Sequence, residues 1–244
     1  MSTVLPNTVL SNTAPYQALS SAEPNFQSLI ERYGELDPFV WHDGGRTGDS
    51  KFAAMAVHII GQQISMIVTF IVYDRLAAAA GGVPTPEVIL KLGPDAMRGF
   101  GLSRAKANYL IDLSERQLDG RLDIENLGRL TDGEAVARLV EVKGIGVWSA
   151  EMFLIHQLHR PDVFPSGDVG LRKGVQRAWD LAELPTPDRV RERAAAWSPY
   201  RTYAAALLWA SLTPPGTESD PKARALLQEK TPRTASTITH LKDH

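Results

Sequence analysis

Two features of this 244-residue chain have the residue types and spacing to do chemistry. The first is Asp168, in Pro165-Ser166-Gly167-Asp168-Val169-Gly170, directly before a stretch of helical periodicity. Asp at that place is a good N-cap, worth about 1 kcal/mol. The positive end of a helix also attracts an anion, and an anion held at a groove-facing edge suits stabilisation of a developing cation. The second is the turn Lys143-Gly144-Ile145-Gly146, between helical patterns at 134–142 and 147–158. Its glycines permit a tight reversal and leave amides uncovered. The helix that follows turns free N–H groups toward the turn, a geometry that binds phosphate. The pattern reads as a helix–hairpin–helix. An ordinary αα-turn needing two glycines has the same spacing.

The elements that position these features are helices. Phe26, Leu29, Ile30 and Tyr33 recur at helical spacing after Glu23-Pro24. Phe52, Met55, Ile59, Ile60, Gln63, Met66, Ile67, Phe70 and Ile71 predict one long buried helix, extended by alanines and ended by Gly81-Gly82. Further helices are expected over 104–117 (capped by Ser103), 169–180, 187–197 and 200–212, with a short one opening at Thr85-Pro86-Glu87. There is no convincing alternating strand and no internal repeat. The reading is all-α: eight to ten short helices in an orthogonal bundle. Residues 1–20 read as a loose arm and residues 213–244 as a tail.

Composition sets limits. There are no cysteines, which removes disulfides, thiolate zinc, Cys-ligated iron–sulfur clusters and Cys nucleophiles. A net charge of −2 argues against binding nucleic acid by bulk charge but leaves a local DNA site open. The most apolar run, 64–73, is half the ~20 residues a membrane span needs, and the start lacks the pattern of a signal peptide. A cytoplasmic protein is expected.

The run from Leu139 through Lys143-Gly144-Ile145-Gly146-Val147-Trp148-Ser149-Ala150-Glu151, followed by Pro-x-Gly-Asp, resembles the helix–hairpin–helix DNA glycosylase superfamily. It looks most like the bacterial 3-methyladenine DNA glycosylase II branch. Three further pieces match: Ile59-Ile60-Gly61-Gln62-Gln63-Ile64-Ser65, Gly101-Leu102-Ser103-Arg104-Ala105-Lys106-Ala107, and Trp197-Ser198-Pro199-Tyr200-Arg201-Thr202-Tyr203-Ala204 with Trp209. The resemblance spans about Phe26 to Leu212.

The resemblance implies two helical lobes around a DNA cleft: a central lobe, 46–160, holding the hairpin (134–158), and a terminal lobe of 21–45 plus 161–212. The larger members' N-terminal β domain is not expected here. Asp168 would be the catalytic carboxylate for cleaving the N-glycosidic bond of a flipped base, through an oxocarbenium-like transition state. Bifunctional members carry a Lys where Trp148 stands, so no Schiff base and no AP-lyase activity are expected. Trp148, Trp209, Met152 and Gln62 would line the base pocket, with Trp148 stacking on a cationic alkylated purine. Plain packing would also explain Trp209, and a buried polar pair would explain Gln62 and Gln63. Met152 and Val169 stand where relatives place aromatics, which suggests a wider pocket. Gly144, Gly146, Ser149 and Lys143 would grip the DNA backbone. Leu102 would be the intercalating wedge, unless it buries into the bundle. The carbonyls of Val140, Val142 and Ile145 match positions that hold a monovalent cation (Na+ or K+) in relatives, and no other cofactor is expected.

The expected function is a monofunctional glycosylase for alkylated purines of the 3-methyladenine and 7-methylguanine type. The expected partner is double-stranded DNA containing damaged bases, met by a monomer in the nucleoid. The rivals are a glycosylase for deaminated or oxidised purines, a non-catalytic helix–hairpin–helix DNA-binding protein, and an α-helical protein-interaction domain.

Overall fold

The structure is a computed structural model and describes residues 13–213. Those residues form eleven α-helices and two short 3-10 turns, with no strand. The helices are α1 (Thr13–Ala22), α2 (Pro24–Tyr33), α3 (Lys51–Gly61), α4 (Met66–Ala80), α5 (Pro86–Gly99), α6 (Arg104–Leu118), α7 (Asp132–Val140), α8 (Val147–His156), α9 (Val169–Ala178), α10 (Pro187–Ala194) and α11 (Arg201–Ala210). The all-α class holds, with more helices than the eight to ten expected.

Two of the sequence-based boundaries need correcting. Residues 13–20 are not a loose arm: they belong to α1, which buries Tyr16 and Leu19. One apolar turn in a Ser- and Ala-rich segment suffices, because the Tyr16 hydroxyl also donates to the Leu36 carbonyl at 2.7 Å. Residues 1–12 and the tail beyond Thr213 lie outside the described residues. The long helix expected from Phe52 onward is two helices. Gln63 takes a left-handed φ of 58°, and Ser65 caps α4 by accepting the Val68 amide. The apolar period runs through the break because both helices bury a face in the same core, so hydrophobicity alone could not locate it.

The helices pack around two apolar cores. One collects Phe52, Met55 and Ile59 of α3, Phe70 and Tyr73 of α4, Leu110 and Leu113 of α6, and Phe153 and Leu154 of α8. The other joins Tyr16 and Leu19 of α1 and Phe26 of α2 to Leu171, Val175, Trp197, Leu207 and Leu208 from the C-terminal half. The N-terminal helices are thus fastened to the C-terminal ones. Trp209 packs against both cores, and the chain crosses between them through 157–168, placing Asp168 beside the seam.

Candidate active site

Asp168 is the N-cap of α9, with extended backbone and a side chain that accepts the Leu171 amide. Its carboxylate takes three donors from three helices. Oδ1 accepts from Leu171 N–H at 2.7 Å and from the Trp209 indole at 3.1 Å. Oδ2 accepts from the Trp148 indole at 2.8 Å. A carboxylate has about four acceptor positions, so one remains, on Oδ2, for water or a reacting centre. Among the described residues no Arg, Lys or His forms an ion pair with Asp168. Gly170 is required here, since a Cβ on it would stand 2.9 Å from Oδ1 and 3.5 Å from the Trp209 ring.

The two indoles differ. Trp209 is half-buried between the cores, which supports the packing role as well as the carboxylate contact. Trp148, in the first turn of α8, is 46% exposed although its N–H is bonded. Val147, just before it, and Val169, just after Asp168, are exposed as well. Fixed by one edge, Trp148 leaves ring surface open for stacking. Met152 lies half-buried one turn along α8.

The hairpin begins α8 with an unusual end. Seven helices here have a Ser, Thr or Asp N-cap whose side chain accepts a backbone N–H. Gly146 caps α8 with no side chain, so the amides of Val147, Trp148 and Ser149 lack a side-chain acceptor. Gly144 has φ 82°, and a Cβ there would stand 2.2 Å from the Tyr109 ring. Lys143 holds its side chain in solvent while its amide donates to Asp112 at 2.9 Å. Ser149 is buried, because the α8 turn rotates it toward the core; its hydroxyl is withdrawn from any exposed phosphate grip and only its amide remains available. The Val142 carbonyl accepts from Ile145 N–H.

Two residues sit differently from expectation. Leu102 is 5% exposed and packs in the central core. It cannot serve as a wedge in this conformation, because Ser103 starts α6 and turns Leu102 inward. Gln63 and Ile64, on the break between α3 and α4, are exposed, and α6 reaches that break through Lys106. Gln62 is not a free pocket amide: its Nε2 donates to the Gly144 carbonyl at 2.8 Å, joining that break to the hairpin.

Sequence reasoning passed over Glu151, one turn after Trp148. Burial, partly offset by Arg191, pushes its carboxyl up to about 7. It also passed over Tyr109 and Asp112, which brace the hairpin from α6. Burial works against Asp112's charge, yet the Lys143 amide and Arg116 hold its carboxyl below the ordinary value. A carboxylate on the apolar side of an α6 pattern was the available signal for Asp112. For Glu151 nothing local distinguishes it from a solvated helix residue.

The sequence pattern of the HhH-GPD superfamily of base excision DNA repair proteins matches residues 56–199. DNA-3-methyladenine glycosylase 1 of Schizosaccharomyces pombe is 30% identical, the match covering 78% of this chain and 83% of that protein. DNA-3-methyladenine glycosylase 2 of Escherichia coli is 28% identical over 62% of this chain and 54% of its own length. A solved S. pombe 3-methyladenine DNA glycosylase, in complex with abasic DNA, superposes with a TM-score of 0.69 at 28% identity, covering 81% of this chain and 96% of that one. The chain spans a little over half the length of several curated relatives that it matches.

Proposed function

The chain belongs to the HhH-GPD superfamily of base excision DNA repair proteins, and from that premise we propose that it is a monofunctional DNA glycosylase releasing alkylated purines. The relatives are named for action on 3-methyladenine. The observation that carries the proposal is the Asp168 carboxylate held by Trp148 and Trp209 at the start of α9, with the open amides of α8 beginning at Gly146 in the adjoining turn.

In this reading the amides after Gly146 hold a DNA phosphate. The exposed Gln63–Ile64 turn, rather than Leu102, fills the space left by the flipped nucleotide. The base stacks on the free surface of Trp148, where a positive charge gains about 0.5–2 kcal/mol. A cationic base is a good leaving group. The C1′–N bond breaks, the electron pair leaves with the base, and the positive charge moves to the sugar. Asp168 stabilises that charge and orients water, whose oxygen bonds C1′ and whose proton is released. An abasic site results.

No Schiff base is part of this chemistry. Trp148 offers no amine, and Lys143 Nζ lies 3.7 Å from Asp112, on the side braced by α6. A monovalent cation would take the carbonyls of Val140, Val142 and Ile145; Val142 accepts from Ile145 N–H with one lone pair and keeps the other for the ion. A monomer acting on nucleoid DNA completes the reading.

The test is release of 3-methyladenine and 7-methylguanine from methylated duplex DNA, with borohydride present in a parallel reaction. Release of both bases without a covalent protein–DNA adduct is expected. Release of hypoxanthine or an oxidised purine instead would move the enzyme to the rival lesion class. A trapped adduct would overturn the monofunctional assignment.

A further inference from the structure

We infer that Lys106 is a positioning residue that fixes the α3–α4 turn and the phosphate-binding hairpin as one unit, so that base extrusion is driven from a set distance. The inference rests on the glycosylase reading above and deepens it.

The observations lie along one oblique row of α6. Lys106 Nζ donates to the carbonyls of Ile60 at 2.8 Å and Gln62 at 2.6 Å. These belong to the C-terminal end of α3, where a helix presents unpaired carbonyls and partial negative charge. One turn on, the Tyr109 ring lies where a Cβ of Gly144 would fall. A further turn on, Asp112 accepts the Lys143 amide. Residues three apart are surface neighbours, and Lys106, Tyr109 and Asp112 form one oblique i±3n row that winds along α6. That row therefore holds the α3–α4 turn at one end and the hairpin at the other. Gln62 closes the ring, with its carbonyl on Lys106 and its side-chain amide on the Gly144 carbonyl.

The arrangement is specific to a cation with several donors. Two carbonyls from a helix end and a loop residue converge on one ammonium, whose burial lowers its basicity. A neutral apolar residue would leave both carbonyls without that donor. Arg would keep the charge and supply more than one donor. Extrusion needs a wedge in the duplex while the phosphate is held. An error in their separation falls on flipping rather than on bond cleavage, and a misplacement of about 1 Å can cost roughly 100-fold in rate.

The experiment compares wild type, Lys106→Met and Lys106→Arg in single-turnover release of 3-methyladenine. Two duplexes are used: one with the lesion opposite thymine, one with it opposite an abasic site, where the base is already unpaired. Thermal unfolding of each variant is followed in parallel. A 2-aminopurine placed next to the lesion reports flipping by fluorescence without requiring cleavage. Lys106→Met is expected to lose about 10–100-fold on the paired duplex, much less on the unpaired one, and to lose the 2-aminopurine signal. Lys106→Arg is expected to recover most of each. Equal losses on both duplexes would overturn the positioning role in favour of a general packing defect, as would an unchanged flipping signal. If wild type flips the base but releases none, the glycosylase reading fails while the fluorescence comparison still decides this one.

Discussion

Two carboxylates in this protein are each bonded by two tryptophan indoles, and they are built for opposite ends. Glu23, ahead of α2, accepts from Trp179 at 2.6 Å and Trp197 at 2.7 Å, and from Arg193 at 2.8 Å. Asp168 accepts from Trp148, Trp209 and a helix amide. The indoles are common to both; the third donor is not. Glu23 has a guanidinium, which neutralises it and in turn lies over the Trp179 ring at 4.8 Å. Asp168 has a neutral amide, and its charge is left for something that arrives. Around Glu23 the rings are stacked and edge-packed, with Trp197 1% exposed. Beside Asp168, Trp148 is nearly half exposed. Two indoles on a carboxylate make a fastener when a cation closes the set; with none bound, the same pair leaves the carboxylate open for the cation-stabilising role proposed for Asp168.

The largest effect should come from removing each negative charge. Asp168→Asn keeps the shape and one acceptor oxygen for Leu171 and Trp209 but turns an NH2 toward the Trp148 indole. It should lower base release by about 100- to 1,000-fold at the cost of roughly one hydrogen bond in stability, with the protein still folded and binding duplex DNA. Glu23→Ala leaves Arg193 and two indoles without their acceptor and should cost about 3 kcal/mol of stability, read by urea unfolding. Its base release, measured below the transition, should stay close to wild type. If Glu23→Ala abolished release in the folded protein, or Asp168→Asn unfolded it, the distinction drawn between the two sites would collapse.

The tryptophans sharpen the same contrast. Trp197→Ala empties a core position and should cost about 3–5 kcal/mol. Trp148→Ala removes a half-exposed ring and should cost far less stability, while weakening release of cationic bases more than of neutral ones. Equal losses on 3-methyladenine and on a neutral purine would remove the stacking role assigned to Trp148.

Much of this contrast could be read from the sequence, and the missing parts share a cause. Asp168 and Gly146 announce themselves locally, through a cap position and a turn composition. Trp148 stands out as a large ring just after the turn, whereas Trp209 sits on an apolar helical pattern and is singled out only by the family resemblance. Glu23 was legible only as the residue before Pro24, because its partners lie 156 to 174 positions away. The break at Gln62–Ser65 was hidden because α3 and α4 feed one core and share one apolar period. Leu102 looked like a wedge because it occupies a turn, and only packing shows that it faces inward. Lys106, Tyr109 and Asp112 form a row whose meaning depends on what is opposite, which periodicity does not reveal.

The central core also holds ionisable groups that lack the compensation given to Glu23. His58, stacked on Trp41 and bonded to Gln157, is lowered to about 4 by burial. His156 is lowered to about 4 by burial and by neighbouring His58, His42 and His159. Both are depressed from 6.5, so the unfolded chain binds more protons between those values. Their contribution to stability is full above about pH 6.5 and is lost as pH falls toward 4. Unfolding free energy measured across that window should decline, and a His58→Gln, His156→Gln double variant should flatten the decline. An unchanged slope would show that these imidazoles do not carry it.

Glu151, on α8 and near Arg191 of α10, tilts stability in the opposite direction, and by less. Its carboxyl is raised from 4.5 to about 7, first by burial and against the pull of Arg191. A raised acid favours the folded state below its unfolded value, and that benefit is lost as pH climbs through the folded value. Wild type should therefore give up stability between about pH 4.5 and 7 through Glu151 while gaining it through the histidines. Glu151→Gln keeps the shape and removes the titration. At pH 8 it should melt about 2–4 °C above wild type, the shift expected for roughly 1 kcal/mol in a chain of this size. Near pH 4.5, where wild-type Glu151 is protonated, the two should melt together. An advantage that persisted at low pH would point to packing rather than charge.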